Sequence, residues 1–213
     1  IIVAALLAFV QTDIKKVLAY STVSQLGYMM MGLGVGAWTP AVFHIWTHAF
    51  FKCCLFLCAG SVAHSGSHHS FDMKKDMGGL RKFMPITFAT FMIGSAALAG
   101  IVPLAGFWSK DEILATAGQS GFHFFQIVGI AGAVLTAAYM TRCIYLTFFG
   151  EYRGHHHPHE SPKAITVPLI ILAVFSTVAG LANAAPLGIE KFVEYVEPRQ
   201  AFPPIVVPEF EGI

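Results

Sequence analysis

His44, His48 and Lys52 stand four residues apart in VFHIWTHAFFKCCLFLCAGSV, a stretch that is otherwise almost wholly apolar. On a helix each four-residue step advances about 400° and rises about 6 Å. The three groups therefore lie along one face, drifting about 40° per step. A neutral imidazole accepts at one ring nitrogen and donates from the other, and an amine can load and release a proton. In that order they form a ladder along which protons can pass. A lysine at the centre of a bilayer costs about 2.5–3.5 kcal/mol even on the gentlest insertion scale. Lys52 therefore calls for a water-filled cavity, an acid partner or surroundings that hold it neutral. The plain alternative is a polar seam satisfied by neighbouring helices. It suits one histidine better than it suits His-x3-His-x3-Lys.

Lys110 marks a second candidate, in GFWSKDEIL with Asp111 and Glu112 beside it. Gly100, Pro103 and Gly106 interrupt the chain just upstream, as in the broken helices that line transport sites. Free backbone groups at such a break can hold ions or water inside a cavity. Ser109 followed by Glu112 also fits a capping box at a membrane surface. Beside the ladder the functional reading gains, and Lys110 could pair with an acid on a neighbouring helix.

Other polar groups carry weaker signals. Ser21, Thr22, Ser24, Gln25 and Tyr28 could hold waters or hydrogen-bond between helices. Arg142 is placed to anchor a helix end. His155, His156, His157 and His159 read as a solvated loop rather than a metal site, since no partner ligands are evident. Cys53, Cys54, Cys58 and Cys143 read as small apolar residues filling helix surfaces, with no disulfide framework or zinc ribbon. The sequence holds no GxGxxG, P-loop, CxxC pair or haem motif, so nothing in it would hold a nucleotide, a flavin or an iron–sulfur cluster.

The elements that must position these groups are apolar and long. The chain has 213 residues, 55% of them hydrophobic and 12% charged, with a mean hydropathy of +0.65. A soluble domain carries about twice that charged fraction. Several stretches approach the roughly 20 residues that cross a bilayer. A lipid-embedded backbone must satisfy its own hydrogen bonds, and the alternation of a barrel is absent, so the fold class is all-α integral membrane, a polytopic helical bundle. The net charge of +1 points to no nucleic acid and no acidic partner.

Helices are expected over about 17–34, 41–64, 85–102, 122–149 and 164–184. The opening IIVAALLAFV reads as the tail of a membrane helix of a longer protein rather than a signal peptide, since no basic region precedes it. Pro85 fits a helix start, where a missing N–H is harmless. Residues 65–84 form a polar loop able to hold a hairpin, and 187–213 an extramembrane tail after a membrane domain of 1–186. If the short helix around Lys110 forms one broken crossing with the long helix that follows it, at about 122–149, the three basic loops (11–16, 65–84 and 153–163) share one face. The positive-inside rule makes that face cytoplasmic.

Four segments, QTDIKKVLAYSTVSQLGYM, FHIWTHAFFKCCLFLCAGSVAH, KDMGGLRKFMP and LAGFWSKDEIL, together resemble the antiporter-like membrane subunits of proton-translocating NADH-quinone oxidoreductase, respiratory complex I. Within that family the likeness is to bacterial subunit L and its mitochondrial subunit 5 counterpart. It covers residues 1–150 well and the rest loosely. It implies the second of two inverted five-helix repeats, with a broken transmembrane helix. By the resemblance, Lys52 matches the central-axis lysine of the second half-channel and His44 and His48 the histidines joined to it. Lys110 matches the lysine on the broken helix near the outlet, with Asp111 beside it, and 65–84 a hairpin that contacts a neighbouring subunit.

The expected function is a proton-translocating membrane-arm subunit in a bacterial inner membrane, its relay formed by His44, His48, Lys52, Lys110 and Asp111. No cofactor is expected in this chain. NADH, flavin, iron–sulfur clusters and quinone belong to other subunits, and the partners are those subunits, lipid, protons and internal water. Two alternatives stay open. One is the large subunit of an Mrp-type multisubunit sodium/proton antiporter, which shares the ladder and the SKDE-like segment, although KDMGGLRKFMP leans toward complex I. The other is a passive structural subunit, for which Lys52→Met leaves pumping intact.

Overall fold

The computed structural model describes residues 1–67, 69–155, 157–184 and 187–196. Of the expected membrane domain and tail, residues 185–186 and 197–213 lie outside them, as does His156. The helices in chain order are α1 (Ile2–Val10), α2 (Ile14–Gly34), α3 (Trp38–Ser61), α4 (Pro85–Ala99), α5 (Ala105–Gln119), α6 (His123–Phe148), α7 (Lys163–Val178) and the short α8 (Lys191–Val196). A π-helical turn, Val62–Gly66, continues α3, and a 3₁₀ segment, Ala179–Asn183, continues α7. Among the described residues β pairing is confined to two isolated bridges, Asp13–Asp72 and Ala184–Ile189. Three helices, Trp38–Gly66, His123–Phe148 and Lys163–Asn183, are long and apolar enough to cross a membrane. The chain is an all-helical membrane protein.

Apolar side chains occupy both the inside and the outside of the bundle. Phe51, Leu55, Phe91, Tyr139, Phe148 and Leu169 join one core cluster around α3. The outer face of α7 leaves Val167, Ile170, Ile171, Val174 and Phe175 exposed. A helix hydrophobic all round belongs in lipid.

Local chemistry sets the element ends. Asp13 caps α2 by accepting the Lys16 N–H at 3.0 Å. Pro85 opens α4 as expected. The helix expected to reach residue 102 stops at Ala99, because Gly100 takes the left-handed conformation, φ +83°, that glycine adopts without strain. Gly106 starts α5 pressed on the end of α4, where a Cβ would collide with the Ala97 carbonyl.

α4 and α5 have 15 residues each, about 22 Å apiece, and neither alone covers a hydrocarbon core of about 30 Å. Pro85 adjoins the 150–163 loop through Glu160, which accepts the Ile86 N–H at 2.7 Å. At the other end Ala117 packs with Val35 and Ala37 of the α2–α3 turn. The short helix around Lys110 therefore shares one broken crossing with the preceding α4 rather than, as expected, with α6, because α6 is long enough to cross alone.

The three basic loops do meet on one face. Ile14 N–H donates to Phe71 O at 3.0 Å and Met73 N–H to Thr12 O at 2.8 Å. Gly78 and Gly79 N–H groups donate to Thr147 O and Phe149 O. Arg153 donates to the carbonyls of Lys74, Met73 and Leu146. The 65–84 segment holds no hairpin among its described residues. It is a packed plug, with Met73, Met77, Leu80 and Met84 all at 0% exposure. Arg142 ties helices together, donating to Gln11 O at 2.7 Å across the α1–α6 contact.

Candidate functional site

The four-residue spacing in α3 turns His44 and Lys52 inward, to 0% and 5% exposure. Thr47, one position before His48, is fully buried on the same side. His44 is gripped at both ring nitrogens. Nδ1 lies 2.8 Å from Ser109 Oγ on α5, and Nε2 lies 3.1 Å from Gln25 Oε1 on α2. With the Gln25 amide in this orientation, Nε2 donates to Oε1 and Nδ1 accepts the Ser109 hydroxyl, which fixes a neutral tautomer. Thr47 Oγ1 joins Ser109 Oγ at 2.8 Å. One imidazole therefore links three helices.

Lys52 is held by α2 as well, a turn or more before Gln25. Its Nζ donates to Ser21 Oγ at 2.6 Å and to Leu18 O at 3.1 Å, both on α2. Tyr139 of α6 donates to the same Ser21 oxygen at 2.9 Å. Ser21 thus sits between an amine and a phenol, with all three side chains buried.

Lys110 is positioned by the helix break. Its Nζ donates to Leu98 O at 2.9 Å, one of the last carbonyls of α4, where no further turn supplies a partner. The C-terminal end of a helix carries partial negative charge, which suits an amine. The other side of Nζ faces the Tyr28 ring, 5.0 Å from its centroid. Tyr28 is itself fixed by donation to Gly129 O. Lys110 is thus held by a carbonyl and a ring face, and not by an acid on a neighbouring helix, among the described residues.

The structure gathers His44, Lys52 and Lys110 with Ser109 in one buried interior, and His48 borders it. His48 is half-buried, its ring centroid is 6.0 Å from that of His44, and its buried Nε2 has no hydrogen-bond partner among the described residues. Asp111 is not brought in. It is exposed on the outer side of α5, while Ser109 and Lys110 face inward. Ser109 is no cap either, since α5 begins at Ala105 and the Ser109 hydroxyl lies in the helix interior. Glu112 accepts from Asn183 Nδ2 at 3.0 and 3.1 Å, which ties α5 to the end of the α7 crossing.

Thr47 and Tyr139 went unnoticed in the sequence. Thr47 follows His44 by three residues on the ladder face, a spacing that could have flagged it. Tyr139 lies 118 residues from Ser21, and no local pattern reports that pairing. Among the described residues no group of three metal-ligating side chains forms, in the His-rich loop or at the free cysteines.

Residues 1–136 match the family model described as NADH:quinone oxidoreductase/Mrp antiporter, TM. The chain is 47% identical to the NAD(P)H-quinone oxidoreductase chain 5 of Picosynechococcus sp., covering 92% of this chain and 34% of that protein. It is 50% identical to the NADH-quinone oxidoreductase subunit L of Rickettsia bellii, covering 88% and 29%. For subunit L of Escherichia coli the figures are 47% identity, 88% and 30%. The chain therefore spans about a third of the length of these relatives. Among solved structures it is similar to a chain of the membrane-bound sulfane sulfur reductase, an archaeal respiratory membrane complex, with a TM-score of 0.78, 32% identity and coverage of 85% and 30%. The Mrp complex from Dietzia sp. shares the fold, with a TM-score of 0.79 at 21% identity over 92% of this chain and 45% of that one. The chain belongs to the NADH:quinone oxidoreductase/Mrp antiporter family of membrane subunits.

Proposed function

We propose that, as a member of that family, this chain forms the second half-channel of a proton-translocating membrane-arm subunit of NADH-quinone oxidoreductase, in a bacterial inner membrane. Electron transfer from NADH to quinone takes place in other subunits, which hold the flavin, the iron–sulfur clusters and the quinone site. This chain makes and breaks no covalent bond beyond those to protons. A conformational or electrostatic pulse from the neighbouring membrane-arm subunits changes the proton affinity of Lys52 and Lys110. Protons then move between the two amines along His48, His44 and bound water, with Asp111 on the outward side of α5 near the outlet. Residues 1–186 supply the channel and 187–213 the tail, and the interlocked basic loops face the cytoplasm.

The observation that carries this reading is a pair of buried amines, Lys52 and Lys110, held by neutral oxygen atoms on either side of the hydrogen-bonded His44–Ser109 pair, with a helix break beside one of them. A core built only for stability avoids such groups, because each carries a penalty of about 2.5–3.5 kcal/mol at mid-membrane. Groups that must gain and lose a proton justify it.

The test is Lys52→Ala in the intact complex in membrane vesicles, with assembly checked by native gel. NADH oxidation and proton uptake are followed together. The proposal expects linked uptake to fall by about a hundredfold, as for loss of a positioned acid–base group. Normal oxidation and uptake in an assembled variant would make the polar interior structural. If NADH drives neither protein while a sodium gradient drives proton flux, the antiporter reading takes its place.

A further inference from the structure

His48 leaves a gap in the ladder. Its ring is 6.0 Å from that of His44, and its Nε2 meets no hydrogen-bond partner among the described residues. A second set of polar groups runs from Lys52 toward His44 along α2 and α6. Ser21 and Gln25 are one helical turn apart on α2, both at 0% exposure. Ser21 Oγ holds the Lys52 amine at 2.6 Å, and Gln25 Oε1 holds His44 Nε2 at 3.1 Å. Tyr139, 1% exposed, reaches between them from α6. Its hydroxyl donates to Ser21 at 2.9 Å and also faces the side chains of Gln25 and Thr136. Gln25 Nε2 is buried without a hydrogen-bond partner among the described residues.

An amide N–H₂ left without a partner and facing a phenol hydroxyl is a setting in which a protein holds an internal water, which needs two to four polar partners. A tyrosine or serine hydroxyl can take a proton on its oxygen while giving up the one it carries. Tyr139 and Ser21 are in series, so two such exchanges deliver a proton to the amine.

We propose that Lys52 exchanges its proton through Ser21 and Tyr139, with a water held between Tyr139 and the Gln25 amide at the far end of this branch. The step balances simply. A hydronium at that water gives one proton to Tyr139 Oη, Tyr139 passes its own to Ser21 Oγ, and Ser21 passes its own to the neutral Lys52 Nζ. The products are water and the lysine ammonium, with both hydroxyls restored. Release from Lys52 is the reverse. Gln25 is a positioning residue. It fixes His44 at Nε2 and offers its N–H₂ to the water. The inference rests on the proposed proton-translocating function.

The test uses Tyr139→Phe, Ser21→Ala and their double variant in the intact complex, beside wild type and Lys52→Ala, with assembly confirmed by native gel. Phenylalanine keeps the buried ring and removes only the hydroxyl. Each single variant is expected to lower NADH-linked proton uptake by about tenfold. This is less than loss of a whole acid–base group, because water can enter the space left by a hydroxyl. The double variant is expected to lose no more than the worse single, since both interrupt one chain. The pH profile of linked uptake is expected to shift in each single variant, whereas a packing defect lowers uptake alike at every pH. Wild-type uptake in both singles, or losses that multiply in the double with an unmoved pH profile, would overturn the branch. If Lys52→Ala abolishes uptake while these variants do not, this inference fails alone. If Lys52→Ala is also harmless, the proposed function fails with it.

Discussion

Two buried polar clusters occupy opposite faces of α3, and they are built differently. Ser61 follows Lys52 by nine residues, which places it about half a turn away around the helix. There Ser61 Oγ meets Thr87 Oγ1 at 2.8 Å and Ser161 Oγ at 2.7 Å, and Ser65 Oγ meets Ser161 at 2.9 Å. Thr87 Oγ1 donates to Glu160 Oε1 at 2.7 Å. That donation sets the direction of the rest, so Ser65, Ser161, Ser61 and Thr87 each donate to the next group and the carboxylate ends the series. Glu160 also accepts the N–H groups of Ile86, Thr87 and Ser161, which closes the start of α4. Every linking hydroxyl gives one hydrogen bond and takes one. The ladder side is left incomplete. Among the described residues Gln25 Nε2 and His48 Nε2 lack hydrogen-bond partners, and two amines rest on neutral oxygens. A satisfied network has one arrangement and holds helices in register. An incomplete one has several arrangements of similar energy, which proton transfer requires.

The largest expected effect that separates the two clusters is at Lys110. Lys110→Ala removes an amine that, among the described residues, is held by a carbonyl and a ring face, so the fold keeps its apolar contacts. Linked proton uptake is expected to fall by about a hundredfold, with assembly on a native gel unchanged. Loss of assembly without loss of uptake per assembled complex would place Lys110 with the structural cluster and remove the distinction.

Much of this division was readable in the chain. The His44, His48 and Lys52 spacing announced a polar face, Gly100 and Pro103 announced the break, and the basic loops announced their common side. The partners were not readable. Ser109 sits 65 residues from His44 and Ser161 sits 100 from Ser61, and helical periodicity says nothing about which turn of another helix will face a given side chain. Ser109 looked like a cap because Ser-x-x-Glu is a start signal wherever it occurs. In this fold the helix had already begun four residues earlier, once Gly106 allowed its first turn to press against α4. The 65–84 segment misled in the other direction. Its lysines and glycines suggest a loose loop, yet Met73, Met77, Leu80 and Met84 repeat every three or four residues and all point inward.

The hydroxyl cluster gives an intermediate effect, read in stability rather than turnover. Glu160→Ala leaves the Thr87 hydroxyl and three N–H groups without their acceptor, and the start of α4 without its closing charge. Hydrogen bonds to a charged group contribute about 1.5–3 kcal/mol, so the purified complex should unfold at lower temperature. Proton uptake per assembled complex should stay within about twofold of wild type, the scatter expected when no acid–base group is lost. A variant of normal thermal stability but depressed uptake would show that the saturated cluster also carries protons.

The smallest effect belongs to Asp111, and it sharpens the contrast most. Asp111 follows Lys110 directly, yet on a helix adjacent residues point about 100° apart, and this one leaves its carboxylate exposed while Lys110 faces the interior. If the inward-facing groups alone form the relay, a neutral isostere at 111 alters only the electrostatics around the outlet. Exposed charges interact through a high dielectric and contribute about 0–1 kcal/mol, which corresponds to a change of no more than about fivefold in a rate. Asp111→Asn should therefore lower linked uptake far less than Lys110→Ala, and raising ionic strength should shrink the difference from wild type, because salt screens exposed charges and leaves buried ones nearly untouched. A loss as deep as that of Lys110→Ala, insensitive to salt, would mean that the path leaves the interior through this carboxylate. The boundary between an incomplete, proton-carrying interior and a surface that only tunes it would then lie one residue further out.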